Sequence, residues 1–582
     1  MSAGPISSVG AQRSVLPAPR GARWRGTGLQ GAVWLVTAGL IILPLLPLVY
    51  ASVRSRPLYE AGGTLTLQGY RDLLSDPAFW RAARNTLEFA VTVTTISVVW
   101  GAALAVLIER TDLPARRLLG HLALLPILLP PLGLIMGWTT LYGDGGYLTG
   151  TITGTLHLPW DLGTPWGMGV MGGAVAMPVA LITLRSALRG GDASLEDAAR
   201  SAGASAPLIL RRITIPMLRP ALANAALLIF TISLEQLGIP IFLGAEHDIN
   251  FFASYLYDTW SNSETPDPAS VSAGAVLLLL TATVLIMLRQ RLVGAGTRFI
   301  AEARVSASQP LPLGRWRLPA AAVATALLLV TVIGPVGGVI LASFVTLLTP
   351  LLSPFSMLTL DNFHTAVSDP ALKTSIRNSV VLGAAGAVTT TGLIAVATLV
   401  AHRSQFALRH SLRFLMLYPR SIPGIIVSLA FFWSYLFFVP PGDWLRNNLV
   451  GEGVALVVRG IPLAYMIMAP SLARIAEELD GAGRVVGASW WTTSRRIVLP
   501  LLRPAIFGSL TILFVAMLND YEAAIFLAKP GTELMGVEMV RQYMQGTEGP
   551  VAAMAVIQLG ITAIVLGIGA LLIRLNRGAP RA

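Results

Sequence analysis

The chain has 582 residues, of which 54% are apolar and only 12% are charged. Soluble globular proteins carry about twice that share of charged residues, so a soluble enzyme or carrier is excluded for the whole chain. The absence of cysteine excludes disulfide bonds, thiolate metal sites and cysteine catalysis. The net charge of +12 accompanies no soluble basic domain, so it indicates membrane topology and attraction to anionic lipid headgroups, not nucleic-acid binding.

Apolar stretches long enough to cross a bilayer recur from one end of the chain to the other. A helix needs about 20 mostly apolar residues to span the hydrocarbon core. We therefore predict an all-α membrane protein with about twelve transmembrane helices. In chain order, the predicted spans are residues 31–51, 86–108, 119–142, 165–187, 221–243, 270–290, 318–349, 380–401, 412–438, 454–473, 505–527 and 550–573.

The charges between these spans predict the orientation of the protein. Arginines concentrate before the first span, between the sixth and seventh spans and after the last one, whereas residues 143–164 and 244–269 contain no Lys or Arg. Because positively charged loops remain in the cytoplasm, we predict a multi-pass protein of the bacterial plasma (inner) membrane with both termini cytoplasmic. The first apolar run is too long for a usual signal-peptide core, so we expect it to remain as an anchor.

An internal repeat relates the two halves of the chain. Residues 195–220 align with residues 479–504, with 13 identities in 26 positions and an offset of 284. A second block, at an offset of 293, pairs residues 75–78 with residues 368–371. An even number of predicted spans separates the copies, so both have the same orientation. The sequence therefore predicts two tandem, parallel six-helix bundles.

Each copy of the first repeat is predicted to form an elbow, meaning two short cytoplasmic helices with a break between them. Gly203 suits the left-handed backbone that closes a helix, and Ser205 suits the cap of the next helix. We expect Pro216 and Pro220 to stop that helix before the following span. Such an elbow can dock into a groove on a partner protein. The alternative is a solvated loop that only connects spans, but two copies at matching positions favour docking.

The elbows resemble the cytoplasmic signature of the permeases of type I ATP-binding-cassette (ABC) importers. That signature has an acidic residue and two alanines, then Gly after three residues, Ile after nine more, and finally an aliphatic residue and Pro. In the first copy the candidate coupling residues are Glu196, Asp197, Ala198, Ala199, Gly203, Ile213 and Pro216, and in the second they are Asp480, Ala482, Gly487, Ile497 and Pro500. The second copy departs from the pattern, because Gly481 and Gly483 flank Ala482 and each loosens a helix by up to about 1 kcal/mol.

The resemblance implies partners and a mechanism. It implies that the elbows couple to two copies of a cytoplasmic ABC ATPase, whose closure on ATP moves the bundles between inward-open and outward-open states. It also implies an extracytoplasmic binding protein that delivers the substrate. The chain contains no G-x-x-x-x-G-K-[ST] phosphate loop. We therefore expect no enzyme activity and no bound cofactor in this chain, with ATP and Mg used by the partner ATPase.

The resemblance also implies a division of the chain into domains. We expect exposed cytoplasmic segments at both ends and between the two permease domains, each of which contains one coupling loop. The predicted segments are the N-terminal segment 1–28, the first permease domain 29–292 with coupling loop 190–220, the linker 293–317, the second permease domain 318–575 with coupling loop 474–504, and the tail 576–582.

Ionisable residues at membrane depth are costly and therefore mark candidate parts of a transport path. One interpretation is an acidic lining near the outer mouth that guides a cation. The other is structural, with the carboxylates paired to Arg459, Gln236 or backbone groups. The Arg420 side chain also has two interpretations: it extends to the cytoplasmic interface, or it faces the pore. The path candidates are Glu235, Arg459, Asp520 and Glu522.

The substrate is indicated by resemblance alone. The length of the fused chain and the segments 233–240 and 529–533 resemble the ferric-iron group of importer permeases, although permeases for thiamine, polyamines and phosphonates share the general plan. No cluster of His or carboxylates shows clear metal-ligand spacing, so the sequence does not decide whether the chain has a metal site. An ion-gradient-driven secondary transporter is a different-class alternative, but inverted repeats are its usual mark. An intramembrane enzyme would need a catalytic constellation inside the spans, and none has convincing spacing.

Overall fold

The computed structural model of the chain describes residues 20–143, 145–152, 161–190, 194–261, 267–294, 310–349, 351–438 and 440–577. Within these ranges the protein is helical, and the strand-like pairing consists of three isolated β-bridges. Much of the predicted N-terminal segment, linker and tail lies outside the described residues, so those predictions stay predictions.

The first half begins with a helix pair and continues with a long helix that starts at a proline. Asp76 caps that long helix by accepting a hydrogen bond from the backbone N–H of Ala78 at 2.8 Å. The helices are α1 (Arg20–Ile42), α2 (Leu45–Ser52), α3 (Gln68–Ser75), α4 (Pro77–Arg110), α5 (Arg116–Leu122), α6 (Pro131–Tyr142), α7 (Tyr147–Ile152), α8 (Pro165–Gly190), α9 (Ser194–Ser201), α10 (Ala206–Ile209), α11 (Ile215–Leu234), α12 (Phe252–Ser261) and α13 (Pro268–Gly294).

The second half repeats this order, and Asp369 caps its long helix through the N–H groups of Ala371 and Leu372. The helices are α14 (Arg317–Leu328), α15 (Gly334–Ser343), α16 (Asp361–Ser368), α17 (Pro370–Arg403), α18 (Arg409–Leu417), α19 (Gly424–Phe437), α20 (Pro441–Arg446), α21 (Leu449–Ala473), α22 (Glu478–Val485), α23 (Trp490–Thr493), α24 (Leu499–Leu501), α25 (Arg503–Leu518), α26 (Met535–Met544) and α27 (Glu548–Arg577).

The predicted fold class is confirmed. Among the described residues, nine helical stretches are long and apolar enough to cross a membrane, and three bent pairs raise the number to twelve. The prediction was wrong about the shape of two spans, because the helices over 119–142 and 412–438 bend by 105° and 107°. Prolines at both breaks remove backbone donors and turn the chain.

Two further spans end earlier than predicted. The helix expected over 221–243 ends at Leu234, and the helix expected over 505–527 ends at Leu518. A short break and a π-helical turn over Pro240–Gly244 follow the first, non-helical backbone follows the second, and both segments are mostly buried. Non-helical backbone at membrane depth is tolerated where it is buried in protein or lines a cavity. The two chain breaks therefore mark the interior of the protein as a place to look for a site.

The first span of each half packs against the other half. Helices α1 and α2 contact α18 and α19, while α14 and α15 contact α5 and α6. Hydrogen bonds support both crossings, from the Trp34 indole to the Ser411 hydroxyl at 2.9 Å and from the Tyr142 hydroxyl to the Val330 carbonyl at 3.0 Å. The halves are therefore interlocked.

Matching side-chain contacts show that the repeat extends to packing. In the first half the Thr86 hydroxyl accepts a hydrogen bond from the N–H of Phe252 at 2.7 Å. In the second half Ser379, 293 positions later, accepts one from the N–H of Met535 at 2.7 Å. Each contact fixes the start of a short helix, α12 or α26, against the long helix of its half.

Most of the described end of the linker is exposed, but two of its residues are attached to the first half. Leu311 pairs with Thr111 in a parallel bridge, and its side chain is buried. The N–H of Leu313 donates to the Asp112 carboxylate at 2.8 Å. Residues 310–313 are therefore fixed beside the C-terminal end of α4, because the apolar side chain and the backbone groups both find partners there.

Candidate functional site

Both elbows have the predicted helix, break and helix. In the first elbow α9 is followed by Gly203, whose φ is +83°, and α10 begins at Ala206. In the second elbow α22 is followed by Gly487, whose φ is +76°, and α23 begins at Trp490. A left-handed backbone at the end of a helix favours glycine, because a Cβ would be strained there.

The predicted serine cap is present in one elbow only. Ser489 accepts a hydrogen bond from the N–H of Thr492 at 3.1 Å. Ser205 occupies the same position, but its side chain makes no cap hydrogen bond. The position that corresponds to the donor Thr492 is Leu208 in the first elbow.

The prediction that prolines stop the helix after the first elbow was wrong. Residues 206–234 form one continuous helical stretch, with Pro216 in the first turn of α11 and Pro220 inside it. A π-helical turn over Leu210–Thr214 precedes Pro216, and its longer-range hydrogen bonds accommodate a residue without an N–H. In the second elbow the helical path instead bends by 70° between α24 and α25.

An ion pair ties each elbow to the end of the long helix of its own half. Arg110, the last residue of α4, lies 3.3 Å from the Glu196 carboxylate, which also accepts a hydrogen bond from Thr214 at 2.9 Å. Arg403, the last residue of α17, lies 2.8 Å from the Asp480 carboxylate. We call these the anchor pairs. Their arginines are 293 positions apart, so the second repeat offset could have identified them, but the sequence analysis missed both.

The anchor pairs change the role expected for the acidic residues. Glu196 is only 2% exposed and therefore faces into the protein rather than toward a partner. Asp480, whose side chain is 16% exposed, is also turned inward. The acidic side chain that remains at the surface of the first elbow is Asp197, with an exposed fraction of 47%. The second elbow has Gly481 at that position.

The other candidate coupling residues lie around the two left-handed glycines. The second elbow has the more apolar surface there, because Val485 and Val486 are 88% and 81% exposed where the first elbow has Ser201 and Ala202. The exposed candidates are Ala198, Gly203, Ala482 and Gly487, and the half-buried ones are Ala199, Ile213, Pro216, Ile497 and Pro500.

The structure brings the path candidates together in a second site, which we call the charge cluster. Arg459, on α21, lies 2.9 Å from the Asp520 carboxylate and 3.0 Å from the Glu522 carboxylate. The three side chains are 25%, 12% and 14% exposed, so they keep access to solvent although they lie between helices. Asp520 and Glu522 therefore pair with Arg459, which is the structural interpretation given above for these two carboxylates.

Glu235 faces the same cluster from the first half. Its main electrostatic neighbours are Arg459, Glu522, Arg420 and Asp520. Within the described part of the chain, its carboxylate has no hydrogen bond and no ion pair within 4.0 Å. Arg420 is exposed at the break between α18 and α19, on the same side as Glu235. The first half thus contributes a carboxylate that no arginine holds directly.

The irregular segments after α11 and α25 meet at the cluster. The Tyr521 hydroxyl contacts Gly238, and the Glu522 carboxylate interacts with the backbone of Leu237. Gly424, the first residue of α19, lies against Arg459 and Glu522 so closely that a Cβ there would overlap both. The sequence analysis missed Gly424, because the break before α19 was not predicted.

Aromatic contacts join the halves beyond the cluster. The rings of Phe242 and Tyr543 stack at a centroid distance of 4.1 Å. At the repeat position, Phe526 packs against Trp260 at 6.0 Å. Each phenylalanine therefore contacts the short helix of the other half, α26 or α12. Any separation of the halves at this end of the molecule must break these contacts.

The described residues include no group of three or more His, Cys, Asp or Glu side chains arranged to hold a metal ion. The charge cluster holds its carboxylates through a guanidinium instead.

The sequence matches a known family twice. The family of binding-protein-dependent transport system inner membrane components matches residues 97–299 and 392–578. A Haemophilus influenzae protein named as a ferric transport system permease is 26% identical over 510 residues, which cover 82% of this chain and 75% of that protein. The ferric transport system permease protein of Actinobacillus pleuropneumoniae is 24% identical over 540 residues, covering 90% and 76% of the two chains.

Among solved structures, the chain is similar to the crystal structure of a bacterial ABC transporter involved in the import of the acidic polysaccharide alginate. The TM-score is 0.36 and the sequence identity is 18%, over 46% of this chain and 96% of that chain.

Proposed function

The chain belongs to the family of binding-protein-dependent transport system inner membrane components, and from this premise we propose that it is the fused permease of an ABC importer for ferric iron. The observation that carries the proposal is the presence of two family matches in one chain, each with its own elbow. The substrate rests on the similarity to proteins named as ferric transport permeases. The proposed permease domains are residues 29–292 and 318–575, and both termini are cytoplasmic.

The anchor pairs support a mechanism for coupling. A partner ATPase that moves an elbow also moves the end of α4 or α17, because Arg110 and Arg403 tie the elbows to these helices. Each long helix has 34 residues, or about 51 Å, and so reaches across the bilayer. Because the chain has two elbows, we expect it to bind two copies of the ATPase. The ATPase uses ATP and Mg, and this chain contributes the helices that move.

The charge cluster supports a path for a cation. Three carboxylates and the Arg459 guanidinium leave a net negative charge where the segments from the two halves meet. Alternating access requires these segments to separate, which exposes Glu235 on the first half and the Arg459 pairs on the second. An extracytoplasmic binding protein supplies selectivity in this proposal, so the path needs only to pass the substrate on.

The decisive experiment measures ATP hydrolysis and uptake by the permease and its ATPase in lipid vesicles. The binding protein is added loaded with ferric iron, thiamine, a polyamine or a phosphonate in turn. Stimulation of both activities by the iron-loaded protein alone is the expected result. Stimulation by the binding protein loaded with an organic ligand would support an ABC importer but would contradict ferric iron as its substrate. Uptake driven by an ion gradient without any associated ATPase would overturn the importer and favour a secondary transporter.

A further inference from the structure

Two loops occupy the same place in the two halves but differ in chemistry. Residues 53–67 connect α2 with α3, and residues 344–360 connect α15 with α16. Each loop is closed at its base by an isolated antiparallel bridge, between Arg54 and Leu65 in the first and between Val345 and Leu358 in the second. Because the backbone plan is shared, the first loop is a natural control for the second.

The second loop is apolar and exposed. It contains no charged residue from 344 to 360, whereas the first loop contains Arg54, Arg56 and Glu60. Exposed fractions reach 89% at Leu351 and 79% at Phe355. The large apolar side chains exposed in this loop are Leu347, Leu351, Leu352, Phe355, Leu358 and Leu360. Contiguous apolar patches of this kind mark interaction sites, because water disfavours them.

The base of the second loop is fixed, so its tip is held outward. The Asn362 side chain donates hydrogen bonds to the carbonyls of Ser343 and Val345, at 3.2 and 2.8 Å. The rings of Phe344 and Phe363 pack with centroids 4.9 Å apart. These contacts fix the base of the loop beside the start of α16.

The loop lies at the membrane surface opposite the elbows. It starts one residue after α15, at the end of the spanning stretch Gly314–Ser343. The long helix α17 begins a few residues beyond the loop and ends at Arg403, which binds the second elbow. The loop and that elbow are thus separated by the length of α17.

The neighbouring surface shows what covers the loop. The outward side of the spanning stretch Gly314–Ser343 exposes Val323 (69%) and Ile333 (40%), as expected for side chains that face lipid. This apolar surface runs through Ile340 into the loop. With no charges, the loop offers no electrostatic contact to a soluble protein, whereas apolar side chains next to a span enter the boundary between headgroups and acyl chains, about 5–10 Å deep.

We propose that the described residues 344–349 and 351–360 form a lipid-binding loop that inserts its leucines and Phe355 into the bilayer leaflet opposite the elbows. The loop anchors the crossing span α14–α15, which packs on the other half. Its binding does not depend on anionic lipid, because it contains no basic residue. The inference requires a membrane-embedded chain but not a particular substrate, so failure of the iron proposal leaves it intact.

Spin labels test the insertion directly, and the absence of cysteine means that single-cysteine variants need no background substitution. Leu351→Cys and Phe355→Cys are labelled in phosphatidylcholine vesicles, with Tyr59→Cys, 60% exposed in the first loop, as the control. We expect the ratio of oxygen to water-soluble nickel accessibility to be severalfold higher at 351 and 355 than at 59. The ratio should stay the same when phosphatidylglycerol is added.

Three results would overturn the proposal. Nickel accessibility at 351 and 355 equal to that at 59 would place the loop in water. Protection from both reagents in vesicles would place it against protein. Protection only after addition of the binding protein would identify a docking surface for that partner. A second variant pair separates insertion from folding, because Leu351→Asp should lower the oxygen-to-nickel ratio at a label on 355 while Tyr59→Asp should not.

Discussion

Arg110 and Arg403 occupy the same place at the ends of two long helices, and each binds the acidic residue of its own elbow. Arg459 has no such counterpart, because Val175 stands at the matching position of α8. The anchor pairs and the aspartate caps of the long helices are present in both halves. The ion pairs of Arg459 are present in one half only and lie where the halves meet.

The carboxylates of the charge cluster show the same difference. Asp520 and Glu522 correspond to Gln236 and Gly238 at the offset of 284, and Glu235 corresponds to Asn519. The second half therefore supplies the arginine and the two carboxylates that bind it, and the first half supplies the carboxylate outside those pairs. The two halves therefore share the ion pairs that tie each elbow to its long helix, whereas the residues of the charge cluster differ between them.

The largest effect is expected from Arg459→Met. It leaves Asp520 and Glu522 without their cation; breaking a fully buried pair costs about 3–5 kcal/mol, so this partly exposed cluster should lose less than that but more than the roughly 1 kcal/mol of a surface pair. We expect a clear fall in the melting temperature of the purified protein. Val175→Met, at the matching position of the first half, is the control and should change stability by less than about 1.5 kcal/mol.

A triple variant sharpens this result. Adding Asp520→Asn and Glu522→Gln to Arg459→Met removes the unpaired charges and should restore the melting temperature. If the cluster lines the path, cation uptake stays low in the triple variant. Recovery of both stability and uptake would show that the cluster has only a structural role.

Arg110→Ala and Arg403→Ala test whether the two elbows are equally anchored. Each change removes an ion pair with little solvent exposure, and a loss of about 1.4 kcal/mol in the coupling free energy corresponds to a roughly tenfold fall in ATP-driven uptake in either variant. Arg110→Ala should lower uptake more than Arg403→Ala does, because it leaves Glu196 buried without its cation, whereas Asp480 keeps some solvent access. Equal ATPase stimulation by the binding protein in both variants and the parent would contradict a coupling role.

Glu235→Gln asks whether the first half contributes to the path. A unit charge about 8 Å from a passing cation is worth up to about 2 kcal/mol at an effective dielectric constant of 20, so cation uptake should fall roughly tenfold. The melting temperature should not fall, because no ion pair is lost. Lowered stability with unchanged uptake would assign Glu235 to structure. Asn519→Ala, at the repeat position, is the control.

Much of the fold was predictable, because hydropathy and the repeat are properties of the sequence itself. The twelve spans and the left-handed glycines follow from composition and spacing. The breaks at 128–130 and 422–423 did not, because a proline inside an apolar run fits either a kinked helix or a reversal. Packing decides between them, as it also decided that the helix continues past Pro216 and Pro220.

The site was predictable as a set of residues but not as a set of contacts. Costly charges at membrane depth identified Glu235, Arg459, Asp520 and Glu522. Their partners depend on how helices from distant parts of the chain approach one another. Glu196 shows the limit most clearly, because the sequence analysis assigns it to the docking elbow and the structure pairs it with Arg110. A buried ion pair between positions 86 residues apart leaves no local pattern in the sequence.

Gly203→Val and Gly487→Val compare the two breaks. Nothing lies within 4 Å of a Cβ at either position, so the effect comes from the backbone, where a left-handed residue costs about 1–2 kcal/mol. We expect both variants to fold and both to lose part of the ATPase stimulation. Asn tolerates this conformation, so Gly203→Asn should retain more coupling than Gly203→Val. A loss confined to one elbow would show that one half dominates coupling.

The smallest effects are expected from substitutions at Gly481 and Gly483, which flank Ala482 in the second elbow. A Cβ at Gly481 meets nothing within 4 Å, so Gly481→Ala should stabilise α22 by up to about 1 kcal/mol. A Cβ at Gly483 would lie 2.5 Å from the Thr493 hydroxyl, so Gly483→Ala must displace a buried neighbour and should not stabilise the elbow. If a loose α22 limits the second elbow, Gly481→Ala raises ATPase stimulation in vesicles. Unchanged stimulation would place the difference between the elbows in their exposed side chains, Asp197 on one and Val485 on the other.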